Sequence, residues 1–136
     1  MELIKISKDK EKAKNILKMI SLIEERIKMQ DREKMAALII FDYYEIITEL
    51  ITAILLLDGY KTLSHKDLID YLNEKYKEFN KHEIYILDDL RILRNRVAYE
   101  GFFIEYSYLN RNENSFKEII QKLKNLIGHK LGQEYT

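Results

Sequence analysis

Along most of this chain apolar residues return at intervals of three and four, which predicts amphipathic helices rather than strands. Ser7, with Asp9 and Glu11 behind it, predicts the start of a first helix: a hydroxyl can cap free amides, and early acids oppose the helix dipole. Ala13, Ile16, Leu17, Ile20, Ile23 and Ile27 then form one stripe, so this is an outer helix with one buried face. The next segment, "MAALIIFDYYEIITELITAILLL", is apolar on nearly every side, with Asp31 as its expected cap and Asp58-Gly59 as its stop. A helix of that kind is central, surrounded by partners. Only Asp42, Glu45, Glu49 and Thr52 interrupt it, all on one side of the cylinder.

Ser64 and Asp67 resemble a capping box with Asp in place of Glu or Gln. They predict a third helix over "SHKDLIDYLNEKYKEF" with Leu68, Leu72, Tyr76 and Phe79 inward. A fourth is expected from about Glu83 to Ala98 or a little beyond, its core side being Ile86, Leu87, Leu90, Leu93 and Val97, and Gly101 its stop. "FFIEYSY" reads as a short extended or irregular link. Ser115 and Glu118 then form a full capping box that opens a last helix buried through Phe116, Ile119, Ile120, Leu123 and Ile127, with Gly128 and Gly132 marking a frayed end. Five helices on short links, with no credible strand pair, predict an all-α antiparallel up-down bundle, a single domain over residues 1–136.

Composition narrows the function classes. Lys plus Arg and Asp plus Glu balance at 23 each, so any attraction to a polyanion must come from a local patch. Cysteine is absent, which removes disulfides, thiol nucleophiles and thiolate metal sites. "MELIKISKDKEK" lacks a signal peptide's apolar run and "LITAILLL" is too short to span a bilayer, so a cytoplasmic chain without a membrane partner is expected. The absence of proline favours long helices, and the Lys/Glu enrichment suits a thermophile.

The candidate chemistry sits in "LRNRVAYEGFF", where Arg91, Arg94 and Arg96 crowd one helix. At about 100° per residue, Arg94 falls near the line of Leu87, Leu90 and Ala98, Arg91 lies at the edge, and Arg96 points largely away. A guanidinium on the packed side cannot shed its charge and needs carboxylates, carbonyls, water or a ligand phosphate. Ion pairing to Asp42, Glu45 and Glu49 is one expectation, and an anion site is the other. Phe102, Phe103, Tyr106 and Tyr108 beside the arginines either stack bases or, more simply, plug the end of the bundle. His65, His82 and His129 show no repeated spacing and read as ordinary surface or cap residues, so neither metal nor cofactor is expected.

"RNRVAYEG" resembles the signature of the HEPN (higher eukaryote and prokaryote nucleotide-binding) domains, in which a helix ends in arginine, a polar residue, a few more positions and histidine. With "YYEIITELITAILLLDGYKTLSHKDLIDYL" and the helix order, the resemblance covers roughly residues 10 to 130. It implies an all-helical homodimer with two arginine motifs in one cleft, directed at RNA or nucleotides. Many such domains are metal-independent ribonucleases, often toxins beside a small nucleotidyltransferase antitoxin. Arg94 matches the motif arginine and Asn95 its polar neighbour, whereas Tyr99 stands at the histidine and Gly101 at the tyrosine found in one subgroup. The implied catalytic set is thus Arg94, Asn95 and Tyr99, with Arg91, Arg94 and Arg96 on phosphate.

The substitution at 99 matters because a phenol of pKa ~10 is only about one part in a thousand ionised at pH 7, whereas an imidazole near ~6.5 works as a base there. Loss of such a base costs ~10²–10⁴ in rate. Residues 94 and 99 also lie about 140° apart on a continuous helix. Either the helix breaks before Tyr99 or a second subunit completes the pair. The alternative function is a catalytically inactive helical protein–protein interaction module with Arg94 as an internal ion-pair residue.

Overall fold

The computed structural model describes residues 1–135. Its helices are α1 (Lys10–Lys28), α2 (Ala36–Asp58), α3 (His65–Lys75), α4 (Lys81–Glu100) and α5 (Tyr106–Tyr135). They form the expected all-α antiparallel bundle. Helix α2 touches the other four, and its apolar residues Ile39, Ile40, Ile46, Leu50, Ile51 and Ile54 are shut away from solvent. It is the central helix that its all-round apolar sequence requires. Gly59 ends it in the left-handed conformation at φ +93°.

Several boundaries differ from the sequence pattern, each for a tertiary reason. Helix α1 begins after Asp9, not Ser7: Asp9 Oδ1 accepts from Lys12 N at 3.0 Å. The preceding residues are drawn along the end of α2, with Ile6 N donating to Gly59 O and Asp9 N to Leu56 O. A two-residue antiparallel ladder, β1 (Ile4–Lys5) with β2 (Tyr60–Lys61), forms there although no strand pair is expected. Asp31 caps a turn instead of α2 itself, its Oδ1 accepting from Glu33 N and Lys34 N.

Ser64 caps α3 as predicted, accepting from Asp67 N at 3.3 Å. Asp67 does not return the bond; its Oδ2 accepts from Glu2 N at 3.1 Å. Helix α3 stops at Lys75, short of Phe79, because Tyr76 turns extended and its hydroxyl, like that of Tyr71, donates to Asp58 Oδ2. Asn80 and Glu83 close an unanticipated capping box that starts α4. Gly101 ends α4 at φ +67°.

The largest correction concerns α5. It starts at Tyr106 and runs through Ser115 and past Gly128 and Gly132, so the Ser115–Glu118 box opens nothing and the link shrinks to residues 101–105. Leu109, Glu113, Phe116 and Ile120 make one buried stripe across the supposed boundary. Glu113 pins it: Arg32 Nη1 and Tyr43 Oη donate to its Oε2 at 2.9 and 2.7 Å.

Candidate anion-binding cleft

Helix α4 is anchored by Ile86, Leu87 and Leu90, and no residue beyond Leu90 on it is fully buried. Arg94 therefore leaves α4 at the margin of the core. Its guanidinium carbon lies 5.9 Å from the ring centroids of both Phe41 and Tyr44 on α2. Two aromatic faces at that range favour the cation by ~0.5–1 kcal/mol each. The side chain lines an open cavity of about 400 Å³, together with Tyr44, Glu45, His65, Asp42 and Arg26.

None of the acids expected to neutralise Arg94 is ion-paired to it. Asp42 takes Arg26 of α1 in a fork, Nη2 to Oδ1 at 2.7 Å and Nε to Oδ2 at 3.1 Å, and also accepts from Gln30 Nε2 at 2.8 Å. Glu49 lines a groove with Lys12, and burial, followed by the charge of Glu45, raises its carboxyl pKa against the opposing pull of Lys12. Glu45 is exposed and lines both this groove and the cleft. Asp42 and Glu49 are thus engaged on the α1 side, while Glu45 faces the cleft without an ion pair to Arg94. Arg91 does not pair with these acids either, but donates through Nε and Nη2 to Asp88 Oδ1 at 3.0 and 2.9 Å. Among the described residues no hydrogen bond or ion pair joins Arg94 to a carboxylate.

The three arginines that the resemblance sets on phosphate are divided. Arg91 and Arg94 both act electrostatically on Tyr44 and His65. Arg96 faces away, its guanidinium carbon 4.3 Å from the Phe102 ring centroid and its Nε 3.6 Å from Glu100 Oε2. It lines a second cavity of about 350 Å³ with Phe103, Tyr108 and Arg111. In the aromatic run, Tyr106 and Tyr108 pack against the core as plugs, while Phe102 and Phe103 stay exposed. Asn95 is half-buried. Tyr99 is 81% exposed, and α4 continues unbroken through Glu100, so Tyr99 and Arg94 do not meet within one chain.

In place of Tyr99 the fold brings His65, the first residue of α3, to the cleft. Its Nδ1 is 2.8 Å from Tyr44 Oη, and the two rings meet edge to face with centroids 5.4 Å apart. Burial, then the charge of Arg94 and more weakly that of Arg91, lowers the imidazole pKa, with Glu45 opposing. Burial pushes the Tyr44 phenol up to about 12, so it is a neutral hydroxyl near pH 7. In the sequence His65 reads as an ordinary surface or cap residue, and Tyr44 and Arg26 carry no mark of a site. The single cue for His65 was its place just after a capping serine, and its partner stands 21 residues earlier. Among the described residues no cluster of histidine or acidic side chains is arranged to hold a metal ion, and no helix is long and apolar enough to cross a membrane.

Comparison with models of known families, with characterised proteins and with solved structures finds no match to this chain.

Proposed function

We propose that the chain is a HEPN-like, dimeric protein directed at RNA or nucleotides, with Arg94 as the residue that grips phosphate. One observation carries this reading: a guanidinium without a carboxylate partner lines an open cavity, whose other lining arginine, Arg26, is already matched by Asp42. An arginine held this way keeps its forked donors for a phosphate oxygen pair. A cavity of about 400 Å³ falls within the range of nucleotide-sized ligand sites. Asn95, next to Arg94 in the chain, is half-buried, and the resemblance pairs such a protein with a small nucleotidyltransferase antitoxin.

A second copy fits the outer face of α4. Tyr85, Ile92 and Tyr99 recur there at seven-residue spacing and are all exposed. A homodimer seated on this stripe brings each Tyr99 toward the other subunit. The same stripe favours the second reading, an inactive module that binds a partner protein.

The experiment is Arg94→Ala. With no ion pair to break, it is expected to change stability by no more than ~2 kcal/mol, the scale of its two aromatic contacts together, while abolishing retention of RNA or nucleotide. Wild-type protein that retains neither, or a variant that unfolds, overturns the proposal and leaves the interaction module.

A further inference from the structure

We propose that His65, positioned by Tyr44, is the proton-transfer residue of the Arg94 cleft and supplies the base that Tyr99 does not. This assignment rests on the reading of the cleft as a site for RNA phosphodiesters. Two observations support it. His65 and Arg94 line the same cavity although they come from different helices. The imidazole is fixed rather than free, since Nδ1 is engaged by the Tyr44 hydroxyl at 2.8 Å and the rings pack edge to face. The assignment takes the tautomer in which Nδ1–H donates to that hydroxyl, which leaves the lone pair of Nε2 as the available base.

The surroundings hold the imidazole in its basic, uncharged form near neutrality. Arg94 and Arg91 face it from α4 and disfavour a second positive charge, while Glu45 on α2 opposes them. Arg26 on the α1 side is already matched by Asp42. His65 also sits at the first position of α3, where the helix dipole presents its positive end. A phosphodiester gripped by Arg94 reverses this balance: its negative charge stabilises the imidazolium as it forms. The base is therefore strengthened by the substrate it serves.

In the reaction, Nε2 takes the proton of a ribose 2′-hydroxyl, and the freed oxygen forms a bond to the adjacent phosphorus. The phosphorus–O5′ bond breaks, and the leaving oxygen takes a proton from water, whose hydroxide recovers the one held on the imidazole. The products are a 2′,3′-cyclic phosphate and a 5′-hydroxyl, with no oxidant, reductant or metal in the balance. Tyr44 touches no reacting atom; it is a positioning residue that sets which ring nitrogen is free.

The test uses the full chain and its His65→Ala, Tyr44→Phe and Arg94→Ala variants, each checked for folding by circular dichroism. Readouts are cleavage of a fluorogenic oligoribonucleotide across pH and imidazole nitrogen resonances titrated with 3′-uridine monophosphate. His65→Ala is expected to lower cleavage ~10²–10⁴-fold and to remove the acidic limb of the pH profile. Tyr44→Phe shifts that limb and the tautomer balance. In the wild type, 3′-uridine monophosphate raises the imidazole pKa, and Arg94→Ala cancels the rise. Cleavage lost in Arg94→Ala but unchanged in His65→Ala, with the same pH limb, overturns the assignment while the phosphate reading stands. A wild type in which the nucleotide moves the imidazole but no RNA is cut overturns the catalytic role. Neither cleavage nor any effect on the imidazole overturns both.

Discussion

The carboxylate of Asp58 accepts from the hydroxyls of Tyr71 and Tyr76 and from Lys130, joining α2, the α3 end and α5 at one point. Burial pushes its pKa up, but the bonds from Lys130, Tyr71 and Tyr76 outweigh it and hold the group below the usual aspartate range. Both side chains of the Asp58–Lys130 pair are largely buried, at 17% and 19% exposure. Asp58→Ala leaves a buried ammonium and two hydroxyls without their acceptor and is expected to destabilise by roughly 3 kcal/mol, read from the urea midpoint. In the sequence Asp58 is legible only as half of a helix stop. Its partners lie 13, 18 and 72 residues away, beyond any local pattern. Arg94 is the converse case: its place on the packed side of α4 follows from helical spacing, but its lack of an acid partner depends on which way the acids of α2 face. His65 was invisible for the same reason, since nothing near it in the chain announces Tyr44 or Arg94.

Helices were legible where the apolar pattern was unambiguous, as in α1, α2 and α4, the last two closed by a glycine stop. They were misread where a cap pattern competed with a stripe. Ser115 with Glu118 has the composition of a helix start, yet Leu109 and Glu113 before it and Phe116 after it are buried on one continuous face. Packing along that face outweighs a cap worth about 1 kcal/mol. Ser115→Ala is therefore expected to leave stability unchanged or raise it by about 0.5 kcal/mol, as an interior helical position should, whereas a true cap would lose about 1 kcal/mol in thermal melts. At α3 the failure was of a different sort. Tyr76 continues the helical spacing, but its hydroxyl is worth more on Asp58 than on another turn of helix.

Across the whole molecule, ion networks tie distant parts of the bundle, and two of them titrate in the same direction. Arg32, against burial and with Tyr43, holds the Glu113 carboxyl below its ordinary range, and Asp58 is likewise depressed. Carboxyls with folded pKa values below their unfolded ~3.9 and ~4.3 contribute stability that is full above those values and lost as pH falls through the folded ones. His65, lowered below ~6.5, adds a shallower loss that begins at milder acidity, because the unfolded imidazole takes its proton first. Urea midpoints followed from pH 7 to pH 2.5 should fall in two stages, the upper stage disappearing in His65→Ala and the lower one shrinking in Asp58→Ala. The bundle holds α4 unevenly: Ile86, Leu87 and Leu90 root its first half, and the turns carrying Arg94 have no fully buried residue. Those turns touch the core only through the partly buried Leu93 and Val97, a lighter seat than the first half enjoys. Their backbone amides should trade hydrogen for deuterium sooner than those of residues 83–90, and a phosphate spanning Arg94 to α2 and α3 would prop the loose end and slow that trade.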